Sequence, residues 1–140
     1  MTMYFLESIK LSAEIQKDRP LDISFLIDAL AKMNEGADSR FTGRVDTDAV
    51  GVVGMSFGGW TAAKVAETDS RVKGAVCHCP SFVRGVDTPK TPIMILTGRE
   101  DTVIGAEGNR MCVDYFENST VTGSYLIDIK AAGHVRFGWL

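Results

Sequence analysis

The chain has 140 residues, the length of one domain. Hydrophobic residues make up 45% and charged residues 24%, a globular balance that excludes a disordered, collagen-like or coiled-coil protein. The net charge of -3, from 18 acidic and 15 basic residues with no basic patch, argues against nucleic acid as a partner.

The N-terminal stretch Met1–Lys10 carries Glu7 within its apolar residues and has no basic leader region, so it does not read as a signal peptide. No run approaches the ~18 apolar residues of a membrane span. A soluble, cytoplasmic protein without a membrane partner is expected. A faint helical pattern covers Tyr4–Glu14. A stronger one covers Leu21–Asn34, where Ile23, Leu26, Ile27, Leu30 and Met33 form a helical stripe. Pro20 marks its expected start and Gly36 its end. Residues Glu35–Thr47 read as a polar loop.

Apolar runs at Ala49–Val53, Val72–Cys79, Ile93–Thr97 and Tyr125–Ile129 read as strands. Helical patterns at Phe57–Glu67 and Ala106–Glu117 lie between them, and Ser81–Thr91 reads as a loop. Strands apolar nearly throughout and alternating with helices predict an α/β fold, a short parallel sheet of about four strands with flanking helices.

Three cysteines, Cys77, Cys79 and Cys112, argue against a disulfide framework and for a reducing compartment. Cys77 and Cys79 lie on the same expected strand and are read as core residues. With His78 between them they match no zinc pattern, so no metal is expected.

The first strand runs into Gly54-Met55-Ser56-Phe57-Gly58-Gly59 and then a helix. This is G-x-S-x-G in the strand–turn–helix setting of a nucleophile elbow. Glycines two residues before and after Ser56 are expected to let strand and helix approach. The Phe57 N–H, at the helix N-terminus, is the candidate oxyanion donor. The competing reading, a Gly-rich phosphate-binding turn, lacks a G-x-G-x-x-G or Walker lysine.

A serine nucleophile needs a base, and the chain has two histidines. His134, in Ala131-Ala132-Gly133-His134, follows the last strand on a loop at the same sheet edge as Ser56. Gly133 is expected to permit a tight turn before it. His78 lies within a strand and reads as a packed residue. The orienting carboxylate is expected from Gly98-Arg99-Glu100-Asp101-Thr102, with Asp101 foremost, then Glu100, then Asp87. The order Ser56, Asp101, His134 is that of α/β-hydrolases. Met55 and Phe82 are candidate substrate-pocket residues. Trp60 reads as core or interface, and Phe137 and Trp139 as an aromatic tail suited to a neighbouring subunit.

These motifs carry a resemblance. Arg19-Pro20-Leu21-Asp22-Ile23, VGVVGMSFGGW over 50–60, TPIMILTGREDTV over 91–103 and AAGH over 131–134 together resemble the C-terminal part of an α/β-hydrolase. They are most similar to dienelactone-hydrolase-like and platelet-activating-factor-acetylhydrolase-like esterases. The resemblance implies a serine hydrolase of carboxylic esters with no cofactor. Dienelactone hydrolases proper use a cysteine nucleophile, and Ser56 points to the esterase side. Polyester hydrolases of the cutinase type share similar motifs.

A full α/β-hydrolase has about eight strands. The four here correspond to its fifth to eighth, leaving out the loop that supplies the second oxyanion donor and the helix after the histidine. The expectation is therefore a single minimal catalytic domain over 1–140, lacking the N-terminal strands. A bare edge beside the Val50 strand predicts a homo-oligomer. The expected activity is esterase action on short-chain acyl esters. The alternative is a weakly active remnant used for binding or assembly.

Overall fold

The computed structural model describes residues 13–37, 40–82 and 88–135. The expected helix at Tyr4–Glu14 lies almost wholly outside these residues, and Asp87, Phe137 and Trp139 lie outside them entirely. The chain divides into two compact units, one ending at Thr47 and one beginning at Asp48.

In the first unit, helix α1 runs Ala13–Glu35 and holds Pro20 in its interior. The expected helix begins at Leu21, with Pro20 marking its start. An interior proline removes one N–H from the helical ladder and crowds the carbonyl four residues before it, at a cost of about 3 kcal/mol. The good helix formers on both sides, Glu14 to Lys17 and Leu26 to Lys32, carry the helix through it. After the helix, the Asn34 carboxamide oxygen accepts hydrogen bonds from the Arg44 and Val45 N–H groups (2.9 and 3.0 Å) and closes the following turn.

The second unit is an α/β layer. Strands β1 (Val50–Met55), β2 (Val72–His78), β3 (Ile93–Gly98) and β4 (Tyr125–Ile129) form one sheet in the order β1-β2-β3-β4. All three pairings are parallel, as the apolar runs predicted. Helix α2 (Phe57–Thr68) packs on β1 and β2, and α3 (Gly105–Glu117) on β3 and β4.

The core sits between helices and sheet. Ala75 and Cys77 of β2 pair with Ile93 and Ile95 of β3, and all four are buried. The Tyr115 hydroxyl of α3 lies 2.8 Å from the Glu67 carboxylate of α2, which also pairs with Lys64 at 2.8 Å. This contact puts both helices on one side of the sheet. The alternate positions face the other way. They form the rows Val53, Val76, Met94, Tyr125 and Met55, His78, Leu96, Ile127. Val53 is 77% exposed and Tyr125 58% exposed, so this face is apolar and open at both ends. Among the described residues, no helix is long and apolar enough to cross a membrane.

Because every strand is parallel, all C-terminal strand ends share one edge. Met55, His78, Leu96 and Ile127 stand in one row across the sheet, so the segments leaving these strands emerge side by side. In open α/β sheets this edge is where ligands bind.

Candidate active site

Ser56 occupies the turn between β1 and α2, half-buried, with φ 56° and ψ -122°. Such a conformation is costly for a residue with a Cβ, by about 1–3 kcal/mol, and persists only where the surroundings enforce it. Four hydrogen bonds do so. The Ser56 N–H donates to the His78 carbonyl at 2.8 Å. The Ser56 carbonyl accepts from the Gly59 and Trp60 N–H groups at 3.0 and 3.2 Å, and from the Ser81 N–H at 3.1 Å.

The close approach of strand and helix is uneven. A Cβ on Gly54 would stand 2.0 Å from the Gly58 carbonyl oxygen, whereas one on Gly58 would meet nothing within 4 Å. The tight glycines are thus Gly54 and Gly59, the latter against Pro80, and not the symmetric pair around Ser56.

Phe57 is the first residue of α2, with its ring stacked on Trp60 at 4.9 Å. Met55 ends β1 and is 42% exposed on the open sheet face. Phe82 is buried, its ring 4.5 Å from that of Tyr115, so it belongs to the packing beneath the sheet edge.

The loops after β3 and β4 are locked together. The Arg99 N–H donates to the Ile129 carbonyl at 3.1 Å, and the Glu100 N–H to the Ala132 carbonyl at 3.0 Å. A Cβ on Gly98 would stand 2.3 Å from the Ala132 carbonyl oxygen. The close approach that seats the histidine loop is therefore at Gly98. Gly133, expected to carry the tight turn, has a Cβ position 3.4 Å from the nearest backbone atom, an ordinary contact. The Asn109 amide of α3 donates to the Gly98 carbonyl at 2.9 Å and pins the same junction.

This scaffold brings His134 Nδ1 to 2.7 Å from Asp101 Oδ2. The Asp101 side chain has no solvent exposure and that of His134 has 11%. Asp101 Oδ1 accepts two further bonds, from the Val103 and Ile104 N–H groups, each at 2.9 Å. Burial pushes the Asp101 pKa upward. Against it act the bonds from Ile104, His134, Cys79 and Val103, and the net direction is down. Asp101 is thus held as a carboxylate. Its contribution to stability is complete above the unfolded value of 3.8 and is lost as pH falls through the lower folded value. The expected result is a wild-type urea midpoint that falls more steeply below about pH 4 than that of Asp101→Asn, followed by circular dichroism.

Two neighbours were read from sequence as packing residues only. His78 is half-buried, and its pKa is lowered by burial and then by His134 nearby. Cys79 leaves β2 with φ 40°, its N–H held by the Leu96 carbonyl at 2.8 Å. The residue is fully buried, and its Sγ lies within 4.8 Å of an Asp101 carboxylate oxygen. Burial, then the Asp101 carboxylate, pushes its pKa up to about 12. Burial likewise raises Cys77 and Cys112 to about 12, so all three are protonated at neutral pH. One available signal for Cys79 was its place, the last residue of the second expected strand, at the same edge as Ser56. One ligand atom from each of Cys79, Asp101 and His134 lies within 4.8 Å of the others.

A strained serine at the turn after β1 and a buried histidine–carboxylate pair on the segments after β3 and β4 thus stand at one edge of the sheet. No individually curated protein matches the chain. The sequence model of a family described as PET hydrolase-like matches residues 10–138, nearly the whole of it. That family lies within the α/β-hydrolases, in keeping with the parallel sheet and its helices, and its description points to carboxylic-ester hydrolysis. By this match, the chain belongs to the PET hydrolase-like family of the α/β-hydrolase superfamily.

Proposed function

We propose that the protein is a serine esterase acting on short-chain acyl esters through Ser56, His134 and Asp101. The observation that carries this reading is the 2.7 Å bond between His134 Nδ1 and Asp101 Oδ2. It fixes the imidazole with its proton on Nδ1 and leaves Nε2 as the proton acceptor.

Ser56 Oγ attacks the ester carbonyl while His134 Nε2 takes its proton. Asp101 stabilises the imidazolium that forms, and the Phe57 N–H, at the start of α2, stabilises the oxyanion. His134 returns the proton to the leaving alcohol. The acyl-enzyme on Ser56 is then hydrolysed by water activated in the same way. Nothing in this sequence of steps calls on a cofactor.

A fluorophosphonate probe tests the proposal directly. The folded protein should take up one adduct, located on Ser56 by peptide mass spectrometry. A folded sample that takes no label, or takes it elsewhere, overturns the reading and leaves a non-catalytic member of the family.

A further inference from the structure

We propose that Cys79, Asp101 and His134 form a site for a thiophilic divalent metal of the Zn²⁺ class, and that occupancy switches the esterase off. The switching part rests on the function proposed above; the binding part does not.

The three side chains supply a thiol, a carboxylate and an imidazole, the donor set that zinc and its congeners take. Atoms all within 4.8 Å of one another share a point within about 2.8 Å of each, against metal bonds of roughly 2.0–2.3 Å. Small side-chain movements therefore close the gap. The donors come from separate segments after β2, β3 and β4, each anchored by backbone bonds: Cys79 to Leu96, Glu100 to Ala132, and Arg99 to Ile129. Asp101 is held by the Val103 and Ile104 N–H groups through Oδ1. Oδ2 remains directed at the cluster. The strained backbone at Cys79, φ 40°, belongs to the residue whose Sγ stands within 4.8 Å of the carboxylate.

Binding would break the Nδ1–H···Oδ2 hydrogen bond and the thiol S–H bond. Bonds to the metal form from Sγ, Nδ1 and Oδ2. The thiol proton leaves to solvent, and the imidazole proton moves to Nε2. A neutral imidazole metallated at Nδ1 carries its hydrogen on Nε2 and cannot accept a proton there. The metal removes the general base by fixing the wrong tautomer, without touching Ser56.

The test is a titration of the reduced, full-length protein with Cd²⁺, read by the ultraviolet thiolate-to-cadmium charge-transfer band, which needs no substrate. The band should saturate at one equivalent. It should survive in Cys77→Ala/Cys112→Ala, where Cys79 is the only thiol, and vanish in Cys79→Ser, which keeps a hydrogen-bond donor but loses the soft ligand. His134→Gln should weaken binding at least tenfold. A full band in Cys79→Ser, or none in a natively folded Cys77→Ala/Cys112→Ala, overturns the site. In parallel, Zn²⁺ should lower wild-type ester turnover at least tenfold, reversibly with EDTA, and leave Cys79→Ser unaffected. Equal inhibition of both overturns the switch. If turnover is absent altogether, the esterase reading fails while the absorbance titration still decides the site.

Discussion

Ser56→Ala should lower the turnover of a short acyl ester by roughly 10⁶-fold, the scale seen when a nucleophile is removed from a working triad. What remains comes from substrate binding and the backbone donor at Phe57. Asp101→Asn is the informative companion. It keeps a side chain that can accept the Val103 and Ile104 N–H bonds, so the fold should persist. The amide presents either an oxygen or an NH₂ to His134. Presenting NH₂ favours the tautomer with its hydrogen on Nε2, and kcat should fall by up to about 10⁴-fold. The check is steady-state kinetics on both variants alongside circular dichroism. A Ser56→Ala variant retaining even a tenth of wild-type turnover would remove Ser56 from the mechanism.

The second large effect is on folding. Gly54→Ala should cost at least about 3 kcal/mol, the range of severe overpacking, and leave little soluble protein. The added methyl would meet a backbone carbonyl at 2.0 Å, and no side-chain rotation relieves that. The neighbouring glycine of the same motif behaves oppositely. Gly58 is helical with open space at its Cβ, so Gly58→Ala should be neutral or stabilising by up to about 1 kcal/mol. Urea denaturation of the two variants separates them. Similar destabilisation by both would show that the elbow is tight all round.

The contrast shows what sequence patterning conveys here. The motif announces a turn, but the glycine that bears the contact depends on how α2 leaves the strand. The parallel sheet was legible because its strands are apolar on both faces, and β4 falls on its expected bounds, Tyr125–Ile129. β1 extends two residues beyond its expected end, to Met55, because pairing with β2 continues to His78. The start of α1 was misread because Pro20 resembles an N-terminal proline and only the ladder itself shows otherwise. At the candidate site, Ser56 and His134 were proposed from motif and order. Asp101 was ranked ahead of the adjacent Glu100, and the register of the loop turns Asp101 inward to His134. Cys79 was hidden because period-two alternation holds only within a strand. Its positive φ ends the strand one residue early and re-aims the thiol.

The junction of the loops after β3 and β4 has a mechanical consequence. Gly98 packs directly on the Ala132 backbone, and Arg99 and Glu100 are tied to Ile129 and Ala132 on either side. The segment that leads to His134 is therefore tied to the Asp101 loop: displacing Ile129–Ala132 strips that loop of these bonds in the same motion. Fraying that begins at this corner would separate His134 from Asp101 while the four-stranded sheet stays intact. Loss of activity on warming would then precede loss of the fold.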